Sequence, residues 1–248
     1  MSQQSQTYSS QFYRAHAVGS ADSASVVVPL VLTLVPVKSV IDVGCGVGTW
    51  AASFLANGVS DVSAVDGDYV DRSLLRIPAD LFIVHDLTQP LKLDRKFDLA
   101  VCLEVAEHLP QSRASSLVGD LTSLAPCVLF SAAVPGAGGT HHINEQYLPY
   151  WIDLFRRHGF EGIDPIRPWI LGNHSVEWWY QQNIVLFVAA DHPILAKNFP
   201  KAQSIIHEHL YDRTRNYQPT LRMLFRAFPV AVFRAIRYHL GILRGKPL

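Results

Sequence analysis

The stretch Val40-Ile41-Asp42-Val43-Gly44-Cys45-Gly46-Val47-Gly48-Thr49-Trp50 decides the fold of this chain. Val37, Val40 and Ile41 make an apolar run that predicts a short buried strand, and the segment from Trp50 to Ala56 predicts the start of a helix. Between them stand an acid and three alternate glycines. Such a turn lets the backbone approach a ligand closely and points the free N–H groups of the helix start at it. The dinucleotide fingerprint G-x-G-x-x-G needs glycine at its sixth place for close helix–strand packing. Thr49 holds that place here, and the third glycine comes one residue early. The pattern is therefore D-x-G-x-G-x-G, distinct from the nicotinamide one.

Outward from this turn, short apolar runs alternate with helical segments. Strands are predicted at 39–43, 62–66, 81–85, 97–103, 127–133, 160–166 and 183–189. A helix is predicted over 21–35, kinked at Pro29 or starting later than drawn. This alternation implies an α/β fold, a Rossmann-like, mostly parallel sheet with helices on both faces. In open sheets of this kind ligands bind beyond the carboxyl ends of the strands. Asp66 ends the second strand, eighteen residues after Gly48, close to the spacing of a carboxylate that takes two ribose hydroxyls. His85-Asp86-Leu87 ends the third. The run Phe97-Asp98-Leu99-Ala100-Val101-Cys102-Leu103-Glu104-Val105-Ala106-Glu107-His108-Leu109-Pro110 carries the fourth.

In order and spacing these motifs resemble the class I S-adenosylmethionine-dependent methyltransferases, over roughly residues 8–190. The resemblance implies a seven-stranded sheet with an antiparallel last strand, and S-adenosylmethionine (SAM) as cofactor. It places Asp42, Gly44, Cys45, Gly46 and Gly48 in the cofactor loop, Asp66 and Gly67 at the ribose, Asp86 and Leu87 at the adenine, and Glu104 among the cofactor contacts. Asp42 either orders the loop or reaches the methionine ammonium through water. Taken singly, Asp66 or Asp86 reads equally as a helix cap, and Asp98 reads as structural. A bacterial branch of the superfamily also resembles this chain in "HHINEQYLPYWIDLFRRHGF" and "VEWWYQQNIVLFV".

Methyl transfer from a sulfonium is an in-line displacement, and a hydroxyl acceptor must lose a proton. Histidine titrates near neutrality and is the natural base. His108 is a candidate, with a packing role as the equal alternative. His141 and His142 follow three glycines in Pro135-Gly136-Ala137-Gly138-Gly139-Thr140, a loop suited to closing on a ligand. His141 and His142 beside Glu145 also raise a metal reading, although no third ligand has motif spacing. Glu107, Asn144 and the aromatics Trp178, Trp179 and Tyr180 are candidates for the acceptor pocket, although the aromatics serve equally as packing beneath the sheet. Tyr8, Phe12 and Tyr13 suit an N-terminal lid, with a docked helix as the alternative reading.

Composition sets the outer limits. The chain of 248 residues is 49% hydrophobic, with Lys+Arg and Asp+Glu equal at 21 each. That balance argues against a general nucleic-acid binder. The fourth-strand motif likewise lacks an Asn-Pro-Pro-Tyr amide clamp, so the expected acceptor is a small molecule. Cys45, Cys102 and Cys127 fall in or beside buried strands, which suggests reduced thiols and a cytoplasmic protein. Three regions are expected: an N-terminal lid or helical segment over 1–36, a SAM-binding domain over 37–190, and an extension over 191–248. Within the extension, residues 219–248 are basic and amphipathic. They are expected to pack on their own domain, across a homodimer, or on a peripheral membrane surface. A catalytically silent SAM-binding regulator, an N- or C-methyltransferase and a nicotinamide enzyme are the rival readings.

Overall fold

The computed structural model describes residues 10–215, with side chains over 19–213. Tyr8 and the basic stretch 219–248 lie outside the described residues, as do the side chains of Phe12 and Tyr13. Among the described residues no helix is long and apolar enough to cross a membrane.

Seven strands form one sheet: β1 (Ser39–Val43), β2 (Asp61–Asp66), β3 (Phe82–Val84), β4 (Leu99–Leu103), β5 (Cys127–Ser131), β6 (Phe160–Ile163) and β7 (Val185–Ala189). Their order is β3-β2-β1-β4-β5-β7-β6. The first five pair in parallel. β7 inserts antiparallel between β5 and β6. The sequence reading anticipated this mixed sheet and set every strand near its place. β4 and β5 are buried at every position, as expected for central parallel strands covered on both faces.

Eight-residue or longer helices cover the faces: α1 (Ser10–Leu34), α2 (Thr49–Ala56), α3 (Ala114–Leu124) and α4 (Leu148–Arg157). Two short helices, α5 (Arg167–Ile170) and α6 (Trp178–Asn183), precede β7. Pro29 is carried inside a continuous α1, so that helix neither starts late nor stops there. Ala24, Val27, Val28 and Val31 of α1 are fully buried in the same cluster as Val40, Trp50 and Phe54. The described half of the N-terminal segment is thus core rather than cover. On the other face, Phe130, Trp151, Phe155 and Phe187 interlock, with Phe155 and Phe187 stacked at 3.8 Å. Residues 191–207 also belong to the first compact unit, which ends at His207. Lys201 bridges Ile163 at the sheet edge, and buried Arg167 donates to the Asp164 carboxylate and the Gln203 carbonyl. A second unit begins at Glu208 with α7 (Glu208–Arg215).

The chain runs from β1 outward to β2 and β3, then returns to the other side of β1 as β4. This reversal opens a crevice between the carboxyl ends of β1 and β4, where open α/β sheets bind ligands.

Candidate active site

The glycine turn lines one side of that crevice. Gly44, Gly46 and Gly48 all take positive φ, at 82°, 53° and 79°. Two of them also answer to close packing. A Cβ at Gly44 would stand 2.3 Å from Val105 Cγ2, and one at Gly48 would stand 2.9 Å from Ile77. Part of the glycine requirement therefore comes from the protein itself, from the turn after β4 and the segment before β3, and not from a ligand alone. The Gly44 and Cys45 N–H groups donate to the Val65 carbonyl, and that of Gly48 donates to the Cys45 carbonyl.

Asp42 is buried, and its Oδ2 accepts the Ala51 N–H in the first turn of α2. It orders the turn, the first of the two roles anticipated for it. Burial pushes its carboxyl up to about 7, and the nearby Asp66 adds to the rise. Asp66 is buried at the end of β2. Its Oδ2 accepts the Gly46 N–H at 2.6 Å, and its Oδ1 accepts the Gly67 N–H at 2.7 Å and the Tyr69 hydroxyl at 2.5 Å. Each carboxylate oxygen takes about two hydrogen bonds. One acceptor position on Oδ2 thus lies at the tip of the glycine turn, and a ribose hydroxyl has the chemistry to fill it. Asp86 stands on the surface, where its Oδ1 accepts from the Thr88 N–H and hydroxyl. Leu87 beside it is buried, and its carbonyl accepts from buried Arg113. Asp98 lies away from the site and accepts from Lys38 and Ser39 where β1 begins.

The opposite side of the crevice is built from the turn after β4. Glu104 takes φ 55°, a conformation unusual for a non-glycine residue, and strain of this kind clusters at functional sites. Its N–H donates to the Ser131 carbonyl and hydroxyl, and its Oε1 accepts from Asn183 at 3.3 Å. Glu107 follows in a single 3-10 turn over Ala106–His108. It is 0% exposed, and neither carboxyl oxygen accepts a hydrogen bond of ordinary geometry. Burial and the neighbouring Glu104 raise its carboxyl well above the usual range. His108 is half-buried, and burial together with His142 pushes its imidazole down to about 4. It is therefore neutral at pH 7 and a weaker base than its sequence position promised.

The loop after β5 completes this side. Ile143 and Asn144 both donate their N–H groups to the Glu107 carbonyl, and the buried Asn144 side chain donates to the Ala106 carbonyl. Asn144 therefore fastens the histidine loop to the β4 turn. His142 reaches inward, its ring edge-on to His108 with centroids 4.9 Å apart. Its Nδ1 lies 3.0 Å from Glu145 Oε1, and Glu145 Oε2 accepts the Gly136 N–H. His141, at φ 58°, is exposed. The two adjacent histidines thus part company: the His142 ring stands edge-on to His108, whereas His141 meets His108 through its backbone.

The aromatic candidates lie on α6. Tyr180 is buried between α1, α2 and α6. Its hydroxyl meets Trp50 Nε1 and the Ser20 hydroxyl, each at 3.3 Å. Trp179 packs against the same core cluster, and Trp178 stands edge-on to it at 5.8 Å. Packing was the alternative for these residues, and Tyr180 in particular joins helices.

A family model described as a methyltransferase domain matches residues 20–137, a span holding the glycine turn, Asp66 and the β4 turn. Over that span, a little under half of the chain, the sequence is similar to methyltransferase domains. The chloroplast magnesium protoporphyrin IX methyltransferase of Arabidopsis thaliana is 29% identical over 92 residues, which is 35% of this chain and 30% of that relative. The match thus spans under a third of that relative's length. Among solved structures, the magnesium protoporphyrin IX methyltransferase of Synechocystis with bound SAM is similar at TM-score 0.50 and 24% identity, over 69% of this chain and 80% of that one. A sugar N-methyltransferase from Streptoalloteichus reaches TM-score 0.56 at 16% identity, over 73% of this chain and 92% of that one. These likenesses carry the fold. The histidine loop at 141–142 lies beyond the matched family span.

Proposed function

We propose that this chain transfers the methyl group of SAM to a small-molecule acceptor, with a hydroxyl oxygen as the favoured nucleophile. The observation that carries the reading is the Asp66 carboxylate, held against the Gly46 N–H at the mouth of the β1–β4 crevice. The residues fit SAM. The glycine turn permits close approach, Asp66 supplies acceptors for the ribose, and the buried Asp42 keeps the turn in register. When bound, SAM supplies the electrophilic methyl carbon. The chain's own part is to orient the acceptor and exclude water, since alignment of reactants contributes much of the rate in such displacements. Glu107, His108 and His142 converge on the far side of the crevice, where an acceptor would meet them. The two imidazoles and the buried carboxyl suit a polar, hydroxyl-bearing acceptor and support O-methylation. The methyltransferases of similar fold that act on magnesium protoporphyrin and on sugars are in keeping with a small-molecule acceptor. A cytoplasmic location remains part of the same proposal, in keeping with three buried free cysteines.

Calorimetry with SAM and S-adenosylhomocysteine, followed by an acceptor screen that monitors S-adenosylhomocysteine release, tests the reading. Binding with turnover on a hydroxylated acceptor supports it. Absence of SAM binding removes it, and binding with no turnover on any acceptor favours the silent regulator.

A further inference from the structure

Three side chains from two separate loops meet at one point of the crevice. Glu107 and His108 come from the turn after β4, and His142 comes from the loop after β5. One ligand atom from each lies within 4.8 Å of the other two. Sequence spacing argued against a metal because it considered His141, His142 and Glu145 together. The fold replaces His141 and Glu145 with His108 and Glu107.

We propose that Glu107, His108 and His142 form a binding site for a divalent first-row cation of the manganese-to-zinc class. The strongest independent sign is Glu107 itself: fully buried, with both carboxyl oxygens lacking an ordinary hydrogen bond and set among two imidazoles. A buried carboxyl this poorly paired, with the buried Glu104 carboxyl beside it, costs stability, and a cation is a ligand that would satisfy it. Two imidazoles and one carboxylate suit first-row metals better than magnesium or calcium, which prefer all-oxygen shells. The surroundings are those of a metal site as well. His142 Nδ1 faces the Glu145 carboxylate at 3.0 Å, which turns Nε2 to the role of ligand, the carboxylate–histidine arrangement that fixes ring orientation. Glu145 is itself anchored by the Gly136 N–H. Gly139 makes room for the ring, since a Cβ there would stand 2.2 Å from His142 Nε2. Metal–nitrogen bonds of ~2.1 Å hold neighbouring donors about 3.0–3.5 Å apart, so small side-chain rotations close the set around an ion. Three protein ligands leave coordination positions for water or an acceptor oxygen. That last consequence rests on the methyltransferase reading, whereas metal binding does not.

The test uses the full chain stripped with chelator, titrated with manganese(II) chloride in the absence of SAM. Free manganese is counted by electron paramagnetic resonance. One equivalent bound, weakened at least about tenfold in Glu107→Gln and in His142→Gln but unchanged in the exposed control His174→Gln, is the expected result. Pulsed resonance of the wild-type complex adds a measurement free of any variant, and coupling to two imidazole nitrogens is expected. No binding up to millimolar manganese, or a bound ion with no imidazole coupling, overturns the site. So does binding that survives both substitutions. Because SAM is absent from these measurements, a failed cofactor assay leaves them interpretable, and the reverse also holds.

Discussion

Asp66 Oδ2 accepts the Gly46 N–H at 2.6 Å, so the acid at the end of β2 reads the tip of the glycine turn beside it. The two motifs stand twenty residues apart, and parallel pairing of β1 with β2 brings their ends side by side.

Replacing Asp66 by Asn keeps an acceptor oxygen for Gly46 but removes the charge and the second acceptor oxygen. Hydrogen bonds to charged groups are worth about 1.5–3 kcal/mol, so SAM affinity should fall roughly 10- to 150-fold by calorimetry. Tyr69→Phe removes the hydroxyl that donates to Oδ1. It should bind SAM as well as wild type or better, since a ribose hydroxyl competes for the same carboxylate.

Gly44→Ala asks alanine to hold φ 82° and places its Cβ against Val105. The left-handed conformation costs about 1–2 kcal/mol and the overlap about 1–3 kcal/mol. In chemical denaturation, a Gly44→Ala/Val105→Ala double variant should be more stable than the two single losses add up to, by about the overlap part. Strict additivity would show that Val105 does not constrain the turn.

Asp42 makes the free protein sensitive to pH. Its folded pKa is raised from 3.8 to about 7, so the folded state keeps a proton that the unfolded chain releases. That contribution to stability is complete below about pH 4 and is lost as pH rises through about 7. Asp42→Asn keeps the acceptor for Ala51 and removes the titration. Without SAM the variant should match wild type near pH 4 and exceed it above pH 7, by about 4 kcal/mol at most. Melts across this range decide the matter, and an unchanged slope would refute the buried charge.

Tyr180→Phe separates a joint in the core from a wall of the pocket. Loss of its hydroxyl leaves Trp50 Nε1 without that partner and should lower stability by about 1–2 kcal/mol. SAM affinity should be unchanged. A selective loss of affinity with unchanged melting would return Tyr180 to the site.

The sheet was legible because β1, β4, β5 and β7 are apolar runs bounded by turns, a pattern set locally. Asp66 was legible for a similar reason, since its distance from the glycine turn is the length of one helix and one connection. The acceptor side was read only in fragments. His141 and His142 look equivalent as neighbours, yet the positive φ of His141 and the two N–H bonds to the Glu107 carbonyl turn one outward and one inward. The aromatic run at 178–180 suggested a pocket because residue type alone cannot tell a lining ring from a packed one. Trp50 and Ser20, distant in sequence, supply the partners that make Tyr180 core.

Periodicity and short-range spacing alone made legible the strand-turn-helix proposed to accept SAM and the mixed sheet behind it. Tertiary structure alone decided which carboxyl and which imidazoles share a site. Glu107 and His108 meet His142 only because β4 and β5 lie side by side in parallel, so that their carboxyl-end loops open on the same crevice.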